Sequence, residues 1–209
     1  MIQRMLKISC LRIWWLVLCG ALLSACEVGD PQSSGESVEI SDHYLWGSDE
    51  VVIGATILIR DFDAETVRAS VSTKALEADH AYSLWWAVYN YPEYCRVPHQ
   101  CDCEDLELVG GDPRIKVSVF WAGGFTADDN GSAETSLQLR PGKTTRPILG
   151  QSKDYGLVNL EGAEIHLILR THGLAGMWGT VAEQISKLKQ ACPPEQCTNV
   201  FRSFHPPRS

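Results

Sequence analysis

Residues 66–76, TVRASVSTKAL, alternate strictly between small apolar and polar side chains. Val67, Ala69, Val71, Thr73 and Ala75 share one side, and Arg68, Ser70, Ser72 and Lys74 share the other. A period of two belongs to a β-strand with one buried face. The same period recurs on either side of this stretch. Upstream, Val51, Ile53, Ala55, Ile57 and Ile59 form one face of a strand that stops at Asp61-Phe62-Asp63. Downstream, Ile115, Val117, Val119 and Trp121 alternate with Lys116 and Ser118, and Ala133, Thr135, Leu137 and Leu139 form a further run. Between these two runs lies Asp128-Asp129-Asn130-Gly131. Asn-Gly flanked by alternating apolar residues predicts a hairpin turn.

Tyr82–Tyr91 (YSLWWAVYNY) is apolar on both faces, which suits the middle of a sheet, and Pro92 ends it. Glu164–Thr171 makes another strand. The pattern of Trp178, Val181, Ile185 and Leu188 predicts one short C-terminal helix. Strands do not alternate with helices, so the fold class is all-β. The expectation is an antiparallel immunoglobulin-like β-sandwich with that one helix, and a compact β-barrel is the alternative.

Composition agrees with a folded domain. The chain has 209 residues, 44% hydrophobic and 21% charged, with a net charge of -8. The acidic balance argues against nucleic acid as a partner, since such proteins present a basic surface. Residues 1–12 carry Arg4, Lys7 and Arg12 and no acid, and an uncharged run (IWWLVLCGALL) follows from Ile13 to Leu23. A positive start, a short apolar run and small residues make a secretory leader, and the run is too short to span a bilayer. Leu23-Ser24-Ala25-Cys26 resembles the lipobox of bacterial lipoproteins, which implies cleavage after residue 25 and a lipid on Cys26. Without residues 1–25, which hold three basic and no acidic side chains, 184 residues remain, with 15 basic and 26 acidic side chains. Glu27, rather than Asp, follows the lipidated position, which in a two-membrane bacterium points to the outer membrane. Residues 26–48, rich in Ser, Gly, Glu and Asp, read as a flexible tether, and residues 49–209 as the β domain.

Five cysteines remain beyond Cys26: Cys95, Cys101, Cys103, Cys192 and Cys197. An exported chain meets an oxidising compartment, so disulfides are expected. Short loops favour Cys192–Cys197 as one bridge and Cys95 with Cys101 or Cys103 as the other. A metal site with thiolates from Cys101-Asp102-Cys103 or from the Cys192–Cys197 loop is the competing reading, although no C-x-x-C spacing supports it.

Catalytic motifs are absent: no H-E-x-x-H, G-x-S-x-G, Walker loop or G-x-G-x-x-G occurs. No cofactor is expected. Trp86 shares a face with Tyr82, Leu84 and Val88 and reads as core. Trp85 shares the other face with Ser83, Ala87, Tyr89 and Tyr91. If that face is open, Trp85, Tyr89 and Tyr91 make a platform for a glycan or a partner protein. If it is covered, it forms a second core layer, the commoner fate of a two-sided aromatic strand. On 164–173, Ile165, Leu167 and Leu169 point to the core. Glu164, His166, Arg170 and His172 share the other face with Ile168, as expected for the wet side of an edge strand.

The stretches YSLWWAVYNYPEYC (82–95), AEIHLILRTHG (163–173), VAEQI (181–185), CPPEQC (192–197) and FRSFHP (201–206) resemble a group of secreted or lipid-anchored bacterial proteins with no established activity. The resemblance covers about residues 49–206 and implies one intact domain without naming a substrate. The functional expectation is a lipid-anchored envelope protein with a structural or binding role. A glycan-binding or carbohydrate-active module on the aromatic face is the first alternative, and a metal-dependent hydrolase using His166 and His172 the second. The expected partners are the membrane, through the lipid, and a glycan or an envelope protein.

Overall fold

Eight strands and one helix form the described part of the chain: β1 (Glu36–Leu45), β2 (Val51–Asp61), β3 (Thr66–Thr73), β4 (His80–Tyr89), β5 (Val117–Thr126), β6 (Ala133–Leu139), β7 (Glu164–Leu174), α1 (Val181–Ser186) and β8 (Asn199–His205). The structure is a computed structural model, and it describes residues 35–142, 154–186 and 197–208. The expected leader and Cys26, and Cys192 and Leu188, lie outside the described residues.

All neighbouring strands are antiparallel, in the order β5-β4-β7-β8-β1-β2-β3-β6. The fold is therefore all-β. The strands belong to one sheet, so this order does not establish the two facing sheets of an immunoglobulin-like sandwich. β5 and β6, at the two ends of the order, come into contact, and the sheet nearly closes on itself. Gly123 on β5 makes that approach possible, because a Cβ there would stand 2.7 Å from Leu137 on β6.

The turn at 128–131 forms as its residues dictate. The Asp128 side chain accepts the Asn130 and Ser132 N–H groups, and Gly131 takes φ +71°. It does not close a hairpin, however. β5 pairs with β4 and β6 pairs with β3, so the turn carries the chain from one edge of the sheet to the other.

Inside the curl lie Leu58, Val67, Val71, Tyr82, Leu84, Trp86, Val88, Phe120, Leu137, Ile165, Leu167, Leu169 and Phe201. Each large side chain buried here contributes about 1.5–3 kcal/mol. The expected inward faces of β3, β4 and β7 are the observed ones. β2 is inverted. Thr56, Leu58 and Arg60 point inward, while Ile53 is 72% exposed and Val51 and Ile57 are exposed as well. β7 lies between β4 and β8, not at an edge, and its second face is covered: Glu164, His166 and His172 are all buried.

β1 lies within the stretch expected to be a flexible tether. It pairs along almost all of β2 and joins β8, so the folded domain begins at Glu36 rather than at Asp49. Its inward residues are Ser41 and His43, and its apolar Val38 and Ile40 face solvent. The pattern is reversed because this end of the interior is polar. Fully buried Arg60 donates from Nε to Glu39 Oε1 at 2.9 Å and from its terminal nitrogens to the carbonyls of Leu160 and Pro206, both at 2.8 Å. His43 stacks on Phe201 and bonds Thr56, and His205 lies 3.8 Å from Glu39.

The helix starts on a capping box: Thr180 and Glu183 each bond the other's N–H. It rests on the sheet through Trp121, whose indole N–H donates to the Ile185 carbonyl at 2.8 Å, and through buried Gln184, which donates to the His172 and Leu174 carbonyls.

Candidate functional site

The outer face of β4, β7 and β8 is roofed by the segment 92–116 and by the β1–β2 turn at Trp46-Gly47. Between them lies a cavity of about 420 Å³, within the size range of small-ligand sites. Its walls are Trp85, Ala87, Tyr89, Leu106, Val119 and Ile168, with Trp46 at the rim. Polar groups join them: His166 and Arg170 from β7, Asn199 and Arg202 from β8, and Asp102 and Cys103 from the roof.

The roof is held by short-range chemistry that follows from its sequence. Cys95 and Cys101 are joined by a disulfide. Buried Asp105 accepts the Arg96 N–H at 2.8 Å and the Asp102 N–H at 2.9 Å, while the Asp102 side chain accepts the Glu104 N–H. Three bonds then seat the roof on the sheet. Tyr89 donates its hydroxyl to the Asp102 carbonyl at 2.9 Å, Cys101 donates its N–H to Glu164 Oε1 at 2.8 Å, and His166 Nε2 lies 2.8 Å from that same oxygen. A carboxylate only accepts, so His166 carries hydrogen on Nε2. Its ring is clamped between Tyr89 and Phe204, at centroid distances of 5.0 and 5.2 Å. Burial beside Glu164 and Asp105 pushes the Tyr89 phenol well above its ordinary range, so it remains neutral.

The aromatic platform is therefore not open. Trp85 is 5% exposed, and Ala87 and Tyr89 on the same face pack against Cys95, Cys101 and Ile115 of the roof. Trp85 and Tyr89 nonetheless stand side by side on the cavity wall. Tyr91 does not reach the cavity and lies instead beneath the Lys116 ammonium, 4.9 Å from its ring centre. His166 and His172 serve separate networks. His172 Nε2 is 2.7 Å from Ser83 Oγ, which also accepts the Trp85 indole N–H at 2.7 Å. A hydroxyl can accept twice and donate once, so the tautomer of His172 sets the direction of this bond. The pair has the composition of a nucleophile and its base, but both residues are fully buried, so no substrate reaches the hydroxyl.

Of the predicted bridges, Cys95–Cys101 is the one formed in the 95–103 loop, and Cys103 is a free, exposed thiol at the cavity. Cys197 is disulfide-bonded, while its expected partner Cys192 lies outside the described residues. Cys95, Cys101 and Asp105 converge closely enough for a metal ion, but the two sulfurs are engaged with each other. Replacing Cys95 and Cys101 together by Ala is expected to lower stability by ~2 kcal/mol, from the loop-closure entropy of so short a loop. Thermal denaturation of the double variant against wild type measures this.

Sequence reasoning missed Arg202 and Asn199, because β8 carries no clean alternation: Ser203 and His205 face inward and Phe204 outward. Comparison of the chain with family models, with curated proteins and with solved structures found no match. Among the described residues no helix is long and apolar enough to cross a membrane.

Proposed function

We propose that this is a lipid-anchored envelope protein, attached through Cys26 at the outer membrane, whose domain is a binding module for a small ligand held in the roofed cavity. The observation that carries the reading is the cavity itself: about 420 Å³, walled by Trp85, Tyr89, Leu106, Val119 and Ile168 and joined by a few polar groups. That combination is typical of ligand sites. The glycan-platform alternative is weaker, because the Trp85 face lies under the segment 92–116. The leader and the four residues Leu23-Ser24-Ala25-Cys26 support the anchor.

Two measurements test the two halves. Cys26→Ser is expected to move the protein from the detergent phase to the aqueous phase, or to leave it unprocessed. An unacylated N-terminus on the mature wild-type protein overturns the anchor. For the pocket, the neutral fluorophore N-phenyl-1-naphthylamine is expected to bind with one-to-one stoichiometry. Ile168→Trp, which fills the cavity, is expected to abolish that binding while leaving the melting transition cooperative. Unchanged binding in this variant removes the cavity as the site.

A further inference from the structure

The cavity's charge is as one-sided as its walls. Arg170 on β7 and Arg202 on β8 project from the same outer face of adjacent strands, with Ile168 paired to Arg202 and Arg170 to Asn199. Among the described residues Arg170 meets neutral partners alone, Asn199 Oδ1 at 3.0 Å and the Cys197 carbonyl, while its Nε is buried with no acceptor. Arg202 makes no hydrogen bond or ion pair among the described residues. The acid on this cavity, Asp102, is turned to Arg96 at 3.2 Å. Among the described residues two guanidinium groups thus sit without a counter-charge on the β7–β8 side of an apolar cavity, in a chain of net charge -8. Leaving charges partly desolvated and unpaired is unfavourable, and a ligand anion would remove that penalty.

The walls define the rest of the ligand. The polar edges of both aromatic residues are engaged inside the protein, Trp85 N–H with Ser83 and Tyr89 O–H with Asp102. They present apolar ring faces to the cavity and no hydrogen-bonding edge for a sugar hydroxyl.

Resting on the binding-module reading, we propose that the cavity takes an apolar molecule ended by an oxyanion, a carboxylate or a phosphate monoester. The oxyanion sits on Arg202 and Arg170, and the body lies against Trp85, Tyr89 and Val119. Guanidinium groups suit such oxyanions because their planar donors pair two oxygens at once.

A matched pair of probes tests this on the folded domain. 8-Anilinonaphthalene-1-sulfonate has the ring skeleton of N-phenyl-1-naphthylamine with one sulfonate added. It is expected to bind about tenfold tighter than the neutral probe, a preference worth about 1.4 kcal/mol. Arg202→Gln is expected to bring the ratio near one while the neutral probe binds as before, and Ile168→Trp to abolish both. Decanoate or decyl phosphate should then displace the sulfonate probe, with the stronger competitor naming the oxyanion, and decanol should not. If the neutral probe binds but the sulfonate adds nothing, or decanol competes equally, the oxyanion claim is overturned and the pocket stands. If neither probe binds, the pocket reading fails with it.

Discussion

Stability is expected to fall steeply as the pH drops from about 6.5 towards 5, before most carboxylates titrate. Three buried histidines cause it. Burial lowers His43 and His172 to about 4, with Arg170 reinforcing the shift at His172. Burial lowers His205 to about 3, reinforced by Arg60, His166 and His43. In the unfolded chain each would titrate near its ordinary value of about 6.5. Below that pH the unfolded state takes up protons that the folded state refuses. The stabilising effect is therefore complete above about 6.5 and is lost progressively down to the folded values, where the fold itself protonates. Each histidine contributes up to ~1.4 kcal/mol per pH unit, so the three together reach several kcal/mol by pH 5. Urea denaturation at pH 7, 6 and 5 measures the slope, and His205→Phe should flatten it. A midpoint constant across this range would exclude the effect.

Arg60→Met is the second large effect, with an expected loss of about 3–5 kcal/mol. Arg60 is fully buried and ties β2 to three separate places: Glu39 on β1, the Leu160 carbonyl and the Pro206 carbonyl. Its removal leaves a largely buried carboxylate and two carbonyls without their donor. Losing one partner of a buried pair costs far more than losing both. The double variant Arg60→Met with Glu39→Gln is accordingly expected to recover part of the loss. Equal stability of the single variant and wild type in chemical denaturation would show that water reaches this end of the interior.

These two sites mark where reading the sequence stopped working. Six strands were legible, five by a face of period two and β4 by being apolar on both sides, which suits its place between β5 and β7. β1 and β8 were not legible. Ser41, His43, Ser203 and His205 point inward there, and polar residues at inward positions erase the signal that distinguishes a strand from a tether. They fold inward because they have company: His43 meets Thr56 and Phe201, and Arg60 supplies the charge opposite Glu39. Those partners are 13 or more residues away, so no local window contains the reason.

The candidate site divides the same way. Trp85 and Tyr89 could be picked out as neighbours on one strand face, and a small disulfide loop could be foreseen from cysteine spacing. That the face would be roofed yet hollow depends on Glu164 and Tyr89 receiving the loop. That Arg170 and Arg202 would stand together depends on the pairing of β7 with β8. By itself the sequence determined an all-β chain and an apolar strand inside its sheet, since composition and period are properties of neighbouring residues. The closure of the sheet, the burial of the histidines and the charge of the cavity were decided only by the tertiary structure. Each depends on a contact between residues far apart in the chain, where a side chain's surroundings and not its identity set whether it is wet, paired or charged.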